Sequence, residues 1–155
     1  MSHSARLAAA GLVLPPVATP VGSYVPALRH GDLVTTSGQV PFIDGVLQAV
    51  GIVGADGGVT PEVASACART AVLNAVAAAA DAAGGLDAIT RVVKITGFVA
   101  SAPDFGGQPG VMNAASDLLV EIFGDAGRHA RSAVGVAALP LGAPVEIEIV
   151  VAVAP

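Results

Sequence analysis

A chain of 155 residues has the size of one ordinary domain and can bury a core without a disulfide or metal staple. The net charge is −5, and only seven basic residues are scattered through the chain, which argues against binding nucleic acid by phosphate neutralisation. Cys67 stands alone, so an intramolecular disulfide and a thiolate zinc site are both excluded, which suits a reducing cytoplasm.

In chain order, Ser4 to Ala10 reads as a short helix ended by Gly11, and Leu14-Pro15-Pro16 to Pro20 reads as an extended arm. A signal peptide is the competing reading of Met1 to Pro16, but its basic region is weak and Pro15-Pro16 interrupts it. Strands are expected over about Ser23–Arg29 and Leu33–Gly38, with a turn at His30-Gly31-Asp32. A third is expected near Val46–Val50, after the turn signal Asp44-Gly45.

Thr60-Pro61-Glu62 opens a helix with a hydroxyl cap, a first-turn proline and a first-turn acid, and Gly84-Gly85 closes it. Residues 63–83 are long enough to span a bilayer. Arg69, Asn74 and Asp81, on an alanine-rich background, argue against a membrane span.

Arg91 to Ala100 alternates with period two, with Val93, Ile95, Gly97 and Val99 on one face. A helix over Pro109–Phe123 carries the apolar stripe Val111, Ala115, Leu118, Leu119 and Ile122. Strands at Arg131–Ala137 and Pro144–Val153 complete an order β-β-β-α-β-α-β-β. The two-layer α+β answer is one mixed sheet with both helices on one face. The face left open then favours self-association.

Few residues could carry chemistry. Arg131 opens a strand, and a guanidinium there suits a two-point grip on a carboxylate; a surface arginine in a structural ion pair is the more ordinary reading of the residue type alone. Glu146 and Glu148 share one strand face, either as a solvated polar face or as a carboxylate that positions water. Whether that face also holds Arg131 depends on register, which one residue of slip reverses. Tyr24, the only tyrosine, could line a pocket or pack in a core. Gly38, in Ser37-Gly38-Gln39, permits an unusual backbone angle or a close ligand approach, and a tight strand exit explains it equally. Cys67 reads as an inert core thiol, and no metal or cofactor motif is present.

Thr36-Ser37-Gly38-Gln39-Val40-Pro41, Asn113, Ala130-Arg131-Ser132, Leu139-Pro140 and Val145-Glu146-Ile147-Glu148, in this order, resemble the RidA/YjgF reactive-imine deaminase family, also called the endoribonuclease L-PSP family. The N-terminal helix and the run Gly97-Phe98-Val99-Ala100-Ser101-Ala102-Pro103-Asp104-Phe105 are similar to a longer branch of it. The family domain would cover residues 21–155, with 1–20 as a helix and arm. The resemblance implies a chorismate-mutase-like fold and a homotrimer; with the acidic charge, the lone cysteine and the missing metal and cofactor motifs, the expectation is a cytoplasmic protein without cofactor, metal, nucleic acid or membrane. A small carboxylate ligand would sit in a cleft between subunits.

It further implies that Arg131 binds a substrate carboxylate and Glu146 serves the water. Tyr24, Ser37, Gly38, Asn113 and Ala133 would line the pocket. The implied reaction hydrolyses 2-imino acids to 2-keto acids and ammonia. Arg128-His129 departs from the family's apolar-proline pair, and Ala133 from its frequent cysteine. A trimer that binds a carboxylate without turnover, an endoribonuclease or translation inhibitor, and a hydrolase of another enamine are the alternatives.

Overall fold

The computed structural model describes residues 1–154. Helix α1 (His3–Ala9) is followed by strands β1 (Ala27–His30), β2 (Leu33–Thr36), β3 (Phe42–Ile43) and β4 (Val46–Leu47). Then come helix α2 (Pro61–Ala83), strand β5 (Ile89–Ala100), helix α3 (Gln108–Phe123), and strands β6 (Ala130–Val136) and β7 (Val145–Val153).

Five strands form one mixed sheet in the order β1-β2-β7-β5-β6. Only β5 and β6 run parallel, as a connection through α3 requires. Both long helices cover the same face, and the α+β class and two-layer architecture are those expected.

The third expected strand is a correction. β3 and β4 form a separate two-stranded hairpin rather than a strand of the main sheet. Asp44 and Gly45 both have positive φ, 50° and 80°, and such a two-residue turn returns the chain on itself after two residues. The first strand also begins later than expected: Pro26 has no N–H to donate, and Tyr24 lies in the bent segment before β1.

Helix α2 is bounded as its end signals dictate. The Val63 N–H donates to Thr60 Oγ1 at 3.3 Å, and Gly84 adopts φ 84° with its N–H turned back to the last carbonyls. Its core side is almost entirely small: Ala64, Ala68, Ala71, Ala75 and Ala79 are fully buried beside Cys67, Val72 and Val76. By length and composition α2 could cross a bilayer, yet 61% of its most apolar window is buried inside the domain. Burial pushes the Cys67 thiol pKa up, away from the reactive thiolate.

The alternation of β7 is as read, with Val145, Ile147, Ile149, Val151 and Val153 buried against the helices. In β5 it is interrupted. The register shifts between Val92 and Lys94, so Val92 is buried with Ile95 and Val99, while Val93 is turned outward. Such a bulge inserts one residue and reverses the alternation on its far side. Gly97 sits under Met112 of α3, and a Cβ there would overlap the thioether.

Helix α1 docks on the edge of this core. Leu7 is buried, the His3 and Phe123 rings lie 4.8 Å apart, and Ser4 donates through N–H and Oγ to Asp87.

Candidate functional site

Strand β2 leaves the sheet in a way that builds a cleft. Thr35 pairs with Val150 and Gln39 with Ile147, so three residues, 36–38, oppose two, 148–149. The Ile149 N–H, deprived of a main-chain partner, donates to the buried Thr36 Oγ1 at 3.0 Å. The Ser37 hydroxyl donates to the Val25 carbonyl at 2.7 Å and ties the bulge to the segment before β1. Gly38 is thereby laid over Glu146, and a Cβ at Gly38 would overlap that carboxylate. The close approach at Gly38 is that of the Glu146 side chain rather than of a ligand.

Tyr24, Ser37, Gly38, Phe42, Pro140 and Glu146 are among the residues that line the resulting cleft of about 480 Å³. Glu146 is half-buried and makes no hydrogen bond or ion pair among the described residues. Its pKa is raised, first by burial and then by repulsion from Glu148. A carboxylate whose ionised form is disfavoured, with no structural partner and facing a cleft, has the character of a functional group.

Arg131, Asn113 and Ala133 lie elsewhere. Arg131 aligns with Ile95 and thence with Ile149, both on the helix-covered face. Its guanidinium reaches α3, where Nη1 donates to Asn113 Oδ1 at 2.9 Å and to Ser116 Oγ at 3.2 Å. Glu146 aligns with Phe98 and Val134, on the opposite face. The register question is thus answered: the two ionic groups occupy opposite faces. They are also about 10 Å apart along the strands and about 10 Å apart across them.

Arg131 has no carboxylate partner among the described residues, where the ion pairs are Arg69–Glu121 and Arg128–Asp125. Nε and Nη2 make no hydrogen bond there either. Ala133 is partly buried and packs against the core.

The seven candidates therefore fall into two separate groups, Tyr24, Ser37, Gly38 and Glu146 in one and Asn113, Arg131 and Ala133 in the other. Sequence reasoning missed Ser116 and left His129 unused. Ser116 lies one helical turn from Asn113, so helix periodicity alone could have placed it on the same face. The described residues hold no group of three or more His, Cys, Asp or Glu side chains that could bind a metal.

The chain is a two-layer α+β domain with a cleft beside Glu146 on one face of its sheet and an arginine tethered to α3 on the other. The family described as "YjgF/chorismate_mutase-like, putative endoribonuclease" matches residues 4–152, and the chain belongs to this family. It is 43% identical to Protein TCP17 of Trypanosoma cruzi, over 96% of this chain and 92% of that one. A crystal structure from Shewanella oneidensis with the same endoribonuclease description has a TM-score of 0.93 and 36% identity, covering 99% of this chain and 100% of that one. The crystal structure of Escherichia coli TdcF with bound serine has a TM-score of 0.63 and 26% identity, covering 90% of this chain and 94% of that one.

Proposed function

We propose that the protein hydrolyses small reactive 2-imino acids to 2-keto acids and ammonia in a cytoplasmic homotrimer, with Arg131 of one copy completing the Glu146 cleft of the next. The observation that carries this reading is the separation of two unpaired groups of opposite charge onto opposite faces of one sheet. A single copy cannot bring them together, whereas packing against another copy can. The serine bound to TdcF supports a ligand with an amino-acid backbone.

The chemistry asks little of the protein. Arg131 holds the substrate carboxylate through its unused N–H groups. Water adds to the imine carbon and gives one proton to Glu146, whose raised pKa suits it to accept and return that proton. That proton passes to nitrogen to give a carbinolamine; its hydroxyl then gives up the second proton, relayed by Glu146 to the amine, and the C–N bond breaks to release ammonia as the carbonyl forms. Tyr24 lines the cleft and offers a phenol to the developing polar groups. Orientation and a positioned water supply the acceleration, with no strong nucleophile required.

The test is a coupled assay in which an amino-acid oxidase generates imines from a panel of amino acids and their loss is followed with and without this protein. No acceleration for any imine would overturn the reading. Tight binding of serine with no turnover would favour the second reading, a carboxylate-binding trimer. The charge of −5 weighs against the endoribonuclease description.

A further inference from the structure

Behind Arg131 runs a chain of hydrogen bonds whose directions follow from what each atom can do when the His129 ring is neutral. The Gly127 carbonyl can only accept, so His129 Nδ1, 2.5 Å away, carries the proton. In a neutral ring Nε2 is then the acceptor, and Ser116 Oγ at 3.0 Å donates its hydrogen there. The same oxygen accepts from Arg131 Nη1 at 3.2 Å, since a guanidinium can only donate. The second Nη1 hydrogen goes to Asn113 Oδ1 at 2.9 Å. Both hydrogens of Nη1 are therefore committed. Nε and Nη2, whose N–H bonds run parallel along one edge of the guanidinium, stay unbonded among the described residues.

We propose that Ser116 and His129 form a lock on Arg131, which immobilises Nη1 and presents the Nε/Nη2 edge to a ligand carboxylate. Both are positioning residues, and the proposal rests on the carboxylate reading of Arg131 given above. The lock spans three elements. Ser116 comes from α3, His129 from the segment leading into β6, and Gly127 from the turn that ends the helix. A Cβ at Gly127 would overlap the backbone of Leu119 and Val120, so the carbonyl that orients His129 is itself held against α3. An arginine side chain free to sample its rotamers loses that entropy on binding, and a preorganised fork does not. His129, one of the two residues that depart from the family's apolar-proline pair, thereby acquires a role.

The experiment is nuclear magnetic resonance of the full-length, isotope-labelled protein, alongside calorimetric titration with pyruvate and with pyruvamide, which lacks the carboxylate. The expected results are an Nδ1-protonated His129, slow rotation of the Arg131 guanidinium, and faster rotation in Ser116→Ala and His129→Ala. Each variant should weaken pyruvate binding by about tenfold, as for loss of a hydrogen bond to a charged group. The double variant should lose no more than either single one, and pyruvamide should bind wild type and variants alike. His129→Gln, whose amide oxygen can accept from Ser116, should recover part of the loss.

An Nε2-protonated His129, a freely rotating Arg131 in the wild type, or unchanged rotation in a folded Ser116→Ala overturns the lock. A restrained Arg131 in a wild type that ignores pyruvate leaves the lock standing and removes the carboxylate reading instead.

Discussion

Gly38 and Glu146 occupy adjoining space: any side chain at Gly38 would have to share the volume of the Glu146 carboxylate. The overlapping atoms are the far end of a flexible side chain, so Gly38→Ala should move the carboxylate and leave the fold intact. The expected outcome is turnover reduced on the order of tenfold to a hundredfold, as for a misplaced catalytic group, with a melting temperature near wild type. Imine hydrolysis and thermal denaturation measured on the same preparation check both halves.

Arg131→Ala should abolish carboxylate binding without unfolding the protein, because the guanidinium neutralises no internal carboxylate among the described residues. Losing one member of a desolvated, hydrogen-bonded charge pair costs roughly 2–5 kcal/mol. Arg131→Lys should be nearly as damaging, since an ammonium cannot reproduce the two-point fork. Titration calorimetry with a 2-keto acid measures this; wild-type affinity in a folded Arg131→Ala would end the claim.

Glu146 links stability to pH with a definite sign. Its folded pKa is raised, so its protonated form is favoured on folding and its ionised form is disfavoured. That penalty is absent well below the ordinary glutamate value of about 4.3. It grows as pH rises from there through the raised folded value, and is then complete. Glu146→Gln should therefore raise the melting temperature at pH 7, leave it little changed at pH 4, and lower turnover. An equal shift at both pH values would show that the carboxylate's charge is not the cause.

Light scattering should give three times the chain mass of 15.0 kDa. The sheet face opposite the helices exposes Val134, Val93 and Leu33. Val134→Asp, at the position aligned with Phe98 and Glu146, should dissociate the assembly and abolish turnover together. A fully active monomer would rule out a site shared between copies.

Deleting residues 1–14 should leave a folded but less stable domain, because Leu7 is the one residue of that segment in the buried core cluster. Its loss uncovers Phe123 and removes the bonds from Ser4 to Asp87. A lowered melting temperature with an unchanged circular dichroism spectrum is the expected record; an insoluble chain would show that α1 is indispensable to folding.

What could be read in the sequence was what is local. Thr60-Pro61 and Gly84-Gly85 mark the ends of α2 because capping atoms lie within a few residues of the atoms they satisfy. The alternation of β7 survives because no bulge interrupts it. The same logic fails in β5 at Val92–Lys94, where an extra residue is dictated by the partner strand. Arg131 and Glu146 were identifiable by residue type and motif, but their faces depended on pairings with β5 that no local pattern encodes. The Ser116–His129 contact joins a helix to a loop across thirteen residues and leaves no periodic trace.

The alanine face of α2 has a consequence for how this chain can evolve. Ala71, Ala75 and Ala79 are fully buried, and each side chain is already near the smallest size available. Drift there is one-sided: almost every accessible codon change adds volume, and overpacking costs typically about 1–3 kcal/mol. Adaptation to new ligands is accordingly left to the loops and rims, while the helix behind them stays nearly frozen.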